Sequence, residues 1–212
     1  MEDCGTSLQC AIKQKLLSLA QMVSICYQLI LGLTVAEMLY EYEHRDLHLN
    51  NVMLRRTSSL HVNFVIASRH HSVITHGIRA FIIDNTFARA RIGAEHYFTN
   101  LSNKLYKLAS QYVDHSIRSQ LTDQNKVYVR MFRTARHNWA KWVPETNLYW
   151  LRHIVCFMLQ QARNDKTASS VNSIRGGHFK ELVKLDILLH KATTMQSLMQ
   201  YLQTARKKNI NA

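Results

Sequence analysis

Residues 44–51 read His44-Arg45-Asp46-Leu47-His48-Leu49-Asn50-Asn51 and are the most informative segment of the chain. They place an aspartate, Asp46, and an asparagine, Asn51, five residues apart. The preceding residues 18–40 carry apolar side chains at helical spacing, which predicts a long helix with one buried stripe. Polar residues interrupt this run at the same spacing, which favours a core helix over a membrane span. The sequence therefore predicts that a core helix leads into this polar loop.

Two short apolar segments after the loop read as β-strands. Residues 52–55 and 78–83 flank a polar, variable insertion at residues 57–76. Within the insertion, residues 60–67 alternate apolar and polar side chains and predict a further strand. The second flanking segment leads directly to Asp84. If the two flanking strands pair as a hairpin, Asp84 lies beside the loop.

This arrangement resembles the catalytic loop of protein kinases, and its details narrow the family. Residues 43–48 followed by Asn51, and then Asp84-Asn85-Thr86 where most kinases have Asp-Phe-Gly, resemble the haspin group of atypical serine/threonine kinases. The tryptophans, proline and asparagine of residues 139–151 resemble a downstream haspin stretch, and residues 2–8 resemble the end of the haspin hinge. The similar segments are collinear, which makes a chance match improbable.

The resemblance implies a role for each matched residue. Asp46 takes the hydrogen bond of the attacking hydroxyl, Asn51 and Asp84 bind Mg²⁺, and ATP is the phosphate donor. The residues expected to line the nucleotide site are Gly5, Leu54 and Ile83.

Three further residues of the loop have implied roles. Arg45 is grouped with the catalytic residues, and in most kinases the corresponding arginine pairs with a phosphate on the activation segment. The chain lacks the Ala-Pro-Glu motif that closes that segment, so a constitutive arrangement is expected. His48 stands where most kinases have lysine and is expected to touch the transferred phosphate, while His44 packs beneath the loop.

The predicted fold is mainly α-helical with a small β-hairpin, and it corresponds to the large, C-terminal lobe of a kinase in one domain over residues 1–212. Helices are predicted after residue 100, and two amphipathic helices at the C-terminus. The six glycines form no G-x-G-x-x-G pattern, and Lys13 lies only 33 residues before Asp46, too close to be the lysine of an N-terminal lobe. The chain is therefore expected to lack that lobe, with residues 1–8 as a hinge remnant.

Two positions count against activity. In family members, a buried aspartate braces the catalytic loop. An alignment without gaps from Trp139 places that position at Lys126, with Asp123 three residues away. The acidic hinge residue of the family aligns with Ser7. One hypothesis is a haspin-like kinase acting on a histone-tail threonine. The alternative, favoured for this chain alone, is a non-catalytic binding or regulatory module, or an incomplete gene product that binds Mg-ATP no better than about 1 mM.

Charge and cysteine content set the remaining expectations. The net charge is +13, and residues 51–212 hold 24 Lys and Arg against eight Asp and Glu, a balance of +16. The basic surface formed by these residues is expected either to attract nucleic acid or chromatin, or only to keep the protein solvated. Four cysteines without metal-ligand or disulfide spacing indicate a reducing, intracellular location, with the nucleus implied by the resemblance. Zinc binding by His70, His71 and His76 is not expected, because no second ligand pair follows.

Overall fold

The computed structural model describes residues 4–113, 121–164 and 174–210. Residues 1–3 of the predicted hinge segment lie outside this part of the chain. The helices among the described residues are α1 (Leu8–Lys13), α2 (Leu19–Tyr40), a 3₁₀ turn (Leu49–Asn51), α3 (Ser102–Val113), α4 (Asp123–Ala135), α5 (Glu145–Asn164), α6 (Ile174–Lys191) and α7 (Met195–Ile210). The strands are β1 (Thr6–Ser7), β2 (Val52–Arg56), β3 (His61–Ile66), β4 (Arg69–Ile74), β5 (Ile78–Ile82), β6 (Arg89–Ile92) and β7 (Glu95–Phe98).

Helix α2 begins and ends where local chemistry dictates. Ser18 caps its N-terminus: the Ser18 hydroxyl accepts from the Gln21 amide while the Gln21 side chain accepts from the Ser18 amide. At the other end Glu41 adopts a left-handed conformation, with φ of 45°, and turns the chain toward residues 44–51. The predicted helix is confirmed at both ends.

The polar side chains of α2 bind neighbouring elements. Ser24 donates to the Ile74 carbonyl at 2.6 Å, and Gln28 bonds to the Ile78 carbonyl and the Ala80 amide at 3.0 and 2.9 Å. Among the described residues α2 is the one helix long and apolar enough to cross a membrane, yet 67% of its most apolar window is buried inside the protein. It packs here as the central core helix, and its polar residues satisfy buried partners.

The predicted hairpin is confirmed and extended. Strands β2 and β5 pair antiparallel with Val52 opposite Ile82, and β1 adds a third strand on the other edge of β2. Within the insertion, β3 pairs with β4 as a second hairpin, so the strand predicted there exists with a partner of its own. The β6–β7 hairpin was not predicted. The observed fold is thus mainly α-helical with small antiparallel sheets.

The core lies where α2 meets α5, α6 and α7. Its fully buried side chains include Leu29, Leu33, Trp150, Ile154, Leu182, Leu189 and Leu198. The two amphipathic helices predicted at the C-terminus are α6 and α7, and their leucine and methionine stripes face this core. Because α2 and α5 are both anchored here, the loop that follows α2 is held against the start of α5.

Candidate functional site

The backbone around residue 44 is braced from α5 by one buried asparagine. Asn147 accepts from the His44 amide at 3.1 Å, and its amide nitrogen donates to the Tyr42 carbonyl at 2.8 Å and to Glu37 at 3.3 Å. The Asn147 side chain has no exposed surface. This contact corrects the alignment that assigned the brace to Lys126. Lys126 instead pairs with Asp123 on the exposed side of α4, 2.9 Å apart.

Arg45 is buried structural support for the loop. Its guanidinium forms two hydrogen bonds to the Glu43 carboxylate at 3.0 and 2.9 Å and one to the Trp139 carbonyl at 2.8 Å. Glu43 also accepts from the Val143 amide and the Thr146 hydroxyl, at 2.8 and 2.9 Å. Because neither Glu43 nor Arg45 has exposed surface, Arg45 cannot meet a phosphate on another segment in this arrangement. Its contacts position the loop.

His44 joins the loop to the strand that leads to Asp84. Its Nε2 lies 2.9 Å from the Ile83 carbonyl, and its Nδ1 lies 3.2 Å from the Asp46 amide. A carbonyl can only accept and an amide can only donate, so Nε2 carries the proton and Nδ1 accepts. Burial lowers the pKa of His44, which keeps the ring in this neutral form. One imidazole thereby fixes Asp46 relative to the end of β5.

Asp46 is largely buried in this braced loop, with 12% of its side chain exposed. Its Oδ1 accepts a hydrogen bond from the hydroxyl of Tyr128 on α4. His48 Nε2 approaches the same oxygen at 3.7 Å, and the His48 ring lies edge-on to Trp150. His48 is therefore beside Asp46, as the predicted phosphate contact requires. Tyr128 had no signal in the sequence beyond its place on an amphipathic helix.

Asn51 and Asp84 provide oxygen atoms suited to magnesium. The Asn51 amide nitrogen donates to the Asp46 carbonyl at 2.9 Å, which leaves its Oδ1 as an acceptor. The Asn51 carbonyl accepts from the Ile83 amide at 3.0 Å, so the loop and the approach to Asp84 are adjacent. An amide oxygen and a carboxylate are hard ligands of the kind that hold Mg²⁺ together with substrate phosphates.

The side chain of Asp84 is exposed and its conformation is constrained. Its backbone is left-handed, with φ of 65°. Its Oδ1 accepts from the amide and the hydroxyl of Thr86, and these hydrogen bonds lower the pKa of Asp84. Arg89, in the next strand, exchanges two 2.8 Å backbone hydrogen bonds with Glu43 and returns the chain to the loop. Asp84 is therefore held as a carboxylate near the residues that precede Asp46.

The residues predicted to line the nucleotide site do not all face one side. Gly5 has φ of 86°, and a Cβ atom there would lie 2.1 Å from the Leu54 carbonyl oxygen, so only glycine fits between β1 and β2. Leu54 itself is 5% exposed and points into the core. The alternation of β2 instead places Met53, opposite Phe81 of β5, on the outward face. Ile83 is half-buried at the end of β5. The side chain that β2 turns outward here is therefore that of Met53, and Leu54 faces the core.

Ser7, the position aligned with an acidic hinge residue, has a local structural role. Its hydroxyl accepts from the Cys10 amide at 3.2 Å and caps α1, and it lies 3.3 Å from Asn50 Oδ1. Elsewhere, no group of three or more His, Cys, Asp and Glu side chains in the described ranges could hold a metal ion. His70 and His71 are consecutive on β4 and point to opposite faces.

Comparison with known proteins identifies the family. The sequence profile described as "Haspin like kinase domain" matches residues 1–211. Among curated proteins, a Drosophila melanogaster "Serine/threonine-protein kinase haspin homolog" is 28% identical over 84% of this chain and 30% of its own length. An Arabidopsis thaliana protein of the same name is 28% identical over 82% of the chain and 27% of its own length.

A Bos taurus "Serine/threonine-protein kinase haspin" is 29% identical over 71% of the chain and 18% of its own length. The chain thus spans less than a third of the length of each of these relatives. The profile nevertheless covers nearly the whole chain. The resemblance read from the loop and from Asp84-Asn85-Thr86 is confirmed: the chain belongs to the haspin-like kinase family.

Proposed function

We propose that this chain carries the phosphoryl-transfer residues of a haspin-like serine/threonine kinase, arranged as the large, C-terminal lobe of a kinase fold. One observation carries the proposal, the buried bracing of a single loop. Asn147 and His44 fix the backbone around Asp46, and His44 also binds the carbonyl that precedes Asp84. Such fixed geometry is what phosphoryl transfer demands of a protein.

In the proposed reaction, the hydroxyl of a serine or threonine donates a hydrogen bond to Asp46 and attacks the γ-phosphorus of ATP. A bond forms between the hydroxyl oxygen and phosphorus, the bond to the β,γ-bridging oxygen breaks, and ADP leaves with that electron pair. The proton of the hydroxyl passes to Asp46. Mg²⁺ held by Asn51 and Asp84 would neutralise the phosphate charge. His48 donates to a phosphate oxygen when it carries a proton on the nitrogen facing it.

The affinity of this chain for Mg-ATP is proposed to be weak. The outward face of the β1-β2-β5 sheet offers Met53 and Phe81 as one wall, with Gly5 and Ile83 at its edges. The six glycines of the sequence form no G-x-G-x-x-G pattern that would cover the phosphates. A wall on one side excludes little water, so we expect a Kd no better than about 1 mM for the 212-residue chain.

The proposed acceptor, following the family resemblance, is a threonine of a histone tail, and the proposed location is the nucleus. Histone tails are basic, and so is this chain, with a net charge of +13. Long-range electrostatics therefore oppose the approach of the tail, and recognition must come from short-range contacts around the loop. A peptide series that differs only in charge around one threonine tests this point directly.

Calorimetric titration of Mg-ATP tests the site. The wild-type chain should bind at millimolar concentration, and Asp84→Asn should lose the magnesium dependence, while Asp186→Asn on α6 should bind as wild type does. Transfer of ³²P from ATP to a histone-tail threonine peptide should require Asp46. Absence of Mg-dependent binding at 10-fold the expected Kd, or transfer that survives Asp46→Asn, would contradict the proposal. Low-micromolar affinity would contradict only its weak-binding part.

A second candidate function is a non-catalytic module that binds nucleic acid or chromatin. The observation in its favour is the balance of +16 over residues 51–212. Binding driven by such a charge weakens steeply with salt and shows little sequence preference. Electrophoretic mobility shifts with a DNA duplex at 50 and 200 mM salt distinguish the two functions. Tight, salt-sensitive binding together with absent Mg-ATP binding favours the module.

A further inference from the structure

Helix α4 places one hydroxyl directly on the proposed base. Tyr128 lies 82 residues from Asp46 in the chain, and its hydroxyl donates to Asp46 Oδ1. Among the described residues, this is the one hydrogen bond that joins a helix to the Asp46 side chain. The hydrogen bond is not needed to hold α4 in place, because buried residues of α4 already anchor that helix.

Packing of the Tyr128 ring against Trp150 fixes the position of the Tyr128 hydroxyl. The Tyr128 ring lies edge-on to Trp150, with ring centroids 5.0 Å apart. Trp150 is fully buried on α5, and its indole nitrogen lies 3.2 Å from Met131 Sδ on α4. Two packed helices therefore hold the phenol at one place and angle. A carboxylate bonded to it is restrained in turn.

The chemistry of the pair leaves one carboxylate oxygen for a substrate. Burial, and then the hydrogen bond and charge of Asp46, raise the pKa of Tyr128, so the phenol keeps its proton and remains a donor. His48 Nε2 also lies nearest to Oδ1, at 3.7 Å. Within the described part of the chain, both groups that approach the carboxylate are at Oδ1. Oδ2 therefore keeps its acceptor capacity for an incoming hydroxyl.

We propose that Tyr128 is a positioning residue: it fixes the rotation of the Asp46 carboxylate so that Oδ2 receives the hydroxyl of the phosphate acceptor. This inference rests on the proposed function. Tyr128 touches neither nucleotide nor acceptor. It acts through Asp46 alone, so its removal should slow transfer without changing how ATP binds.

Tyr128→Phe tests the role, because it removes the hydroxyl and keeps the ring on Trp150. We expect kcat for peptide phosphorylation to fall about tenfold to hundredfold while KM for ATP stays unchanged. Tyr149→Phe is the matched control. It deletes a hydroxyl that lies 3.1 Å from Thr134, between the same two helices, and makes no contact with the loop. An unchanged kcat in Tyr128→Phe overturns the proposal, and so does an increased kcat, which would mean that Tyr128 blocks the base.

A second measurement does not need activity. In thermal unfolding, Tyr128→Phe should lower Tm by about 2–6 °C in the wild-type background and by less than about 1 °C in an Asp46→Ala background. Equal shifts in both backgrounds mean that the hydrogen bond is absent, and the inference fails while the proposed function stands. Coupled shifts in a chain that shows no transfer mean that the contact exists but the proposed function fails, and the positioning role fails with it.

Discussion

Replacement of Asn147 by leucine removes the hydrogen bonds that brace the loop and keeps the number and branching of the side-chain heavy atoms. Three buried groups then lose their partner: the His44 amide, the Tyr42 carbonyl and one oxygen of Glu37, now bonded at 3.1, 2.8 and 3.3 Å. The site is fully buried, so water cannot replace the lost bonds. The energetic cost worked out below is that of the lost hydrogen bonds.

The magnitude follows from the cost of unsatisfied groups. A buried donor or acceptor left without a partner costs about 1–3 kcal/mol, and the longest of the three bonds contributes least. Together they give a loss of roughly 3–5 kcal/mol in the free energy of unfolding. For a domain of this size that loss corresponds to a fall in Tm of roughly 6–20 °C.

Urea denaturation followed by tryptophan fluorescence measures the loss, and hydrogen exchange of the His44 amide locates it. Gln160→Leu, an exposed amide on the same helix, serves as the control and should change stability by less than about 0.5 kcal/mol. Asn147→Asp should also destabilise, because it sets a carboxylate against Glu37. A loss below 1 kcal/mol for Asn147→Leu, with slow exchange retained at His44, would refute the reasoning.

Two further predictions concern stability. Gly5→Ala should cost about 2–4 kcal/mol in urea denaturation, since its Cβ would meet the Leu54 carbonyl, whereas Gly93→Ala, also at positive φ but with open space around it, should cost only about 1 kcal/mol. Burial raises the pKa of Glu37 from 4.5 to about 7, so the folded state holds that proton more tightly. The stability that Glu37 contributes should therefore be fully present below pH 4.5 and fall by up to about 3 kcal/mol as the pH rises to 7. Denaturation across this range should show that slope in wild type and not in Glu37→Gln, and equal slopes would contradict the assignment.

Local pattern was enough to find the elements that carry the site. The short apolar segments at residues 52–55 and 78–83, on either side of a polar insertion, predicted the β2–β5 hairpin, because strand formation depends largely on residues close together in the chain. Helical periodicity and Ser18 gave α2 to within one residue. The β6–β7 hairpin was not predicted because its strands are only four residues long and β7 is exposed throughout, so the apolar pattern is too short to identify a hairpin.

Side-chain roles were harder to predict where the partner lies far away in the chain. Arg45 was grouped with the catalytic residues, yet it binds Glu43 and a carbonyl 94 residues away. The residue that braces the loop was predicted on α4, at the position of Lys126. The structure places it on α5, at Asn147. A nearby signal existed, since Asn147 directly precedes the apolar run of residues 148–151.

The sequence by itself determined the family and the chemical groups: Asp46, Asn51 and Asp84 stand at spacings set by one loop and one hairpin, which local backbone geometry fixes. Only the tertiary structure decided what surrounds them. Tyr128 and Asn147 reach the loop because α4 and α5 pack against each other and against the core, and that packing minimises exposed apolar surface and unpaired buried polar groups over the whole chain. A short segment of sequence cannot reveal these contacts, because the residues that make them lie far apart in the chain.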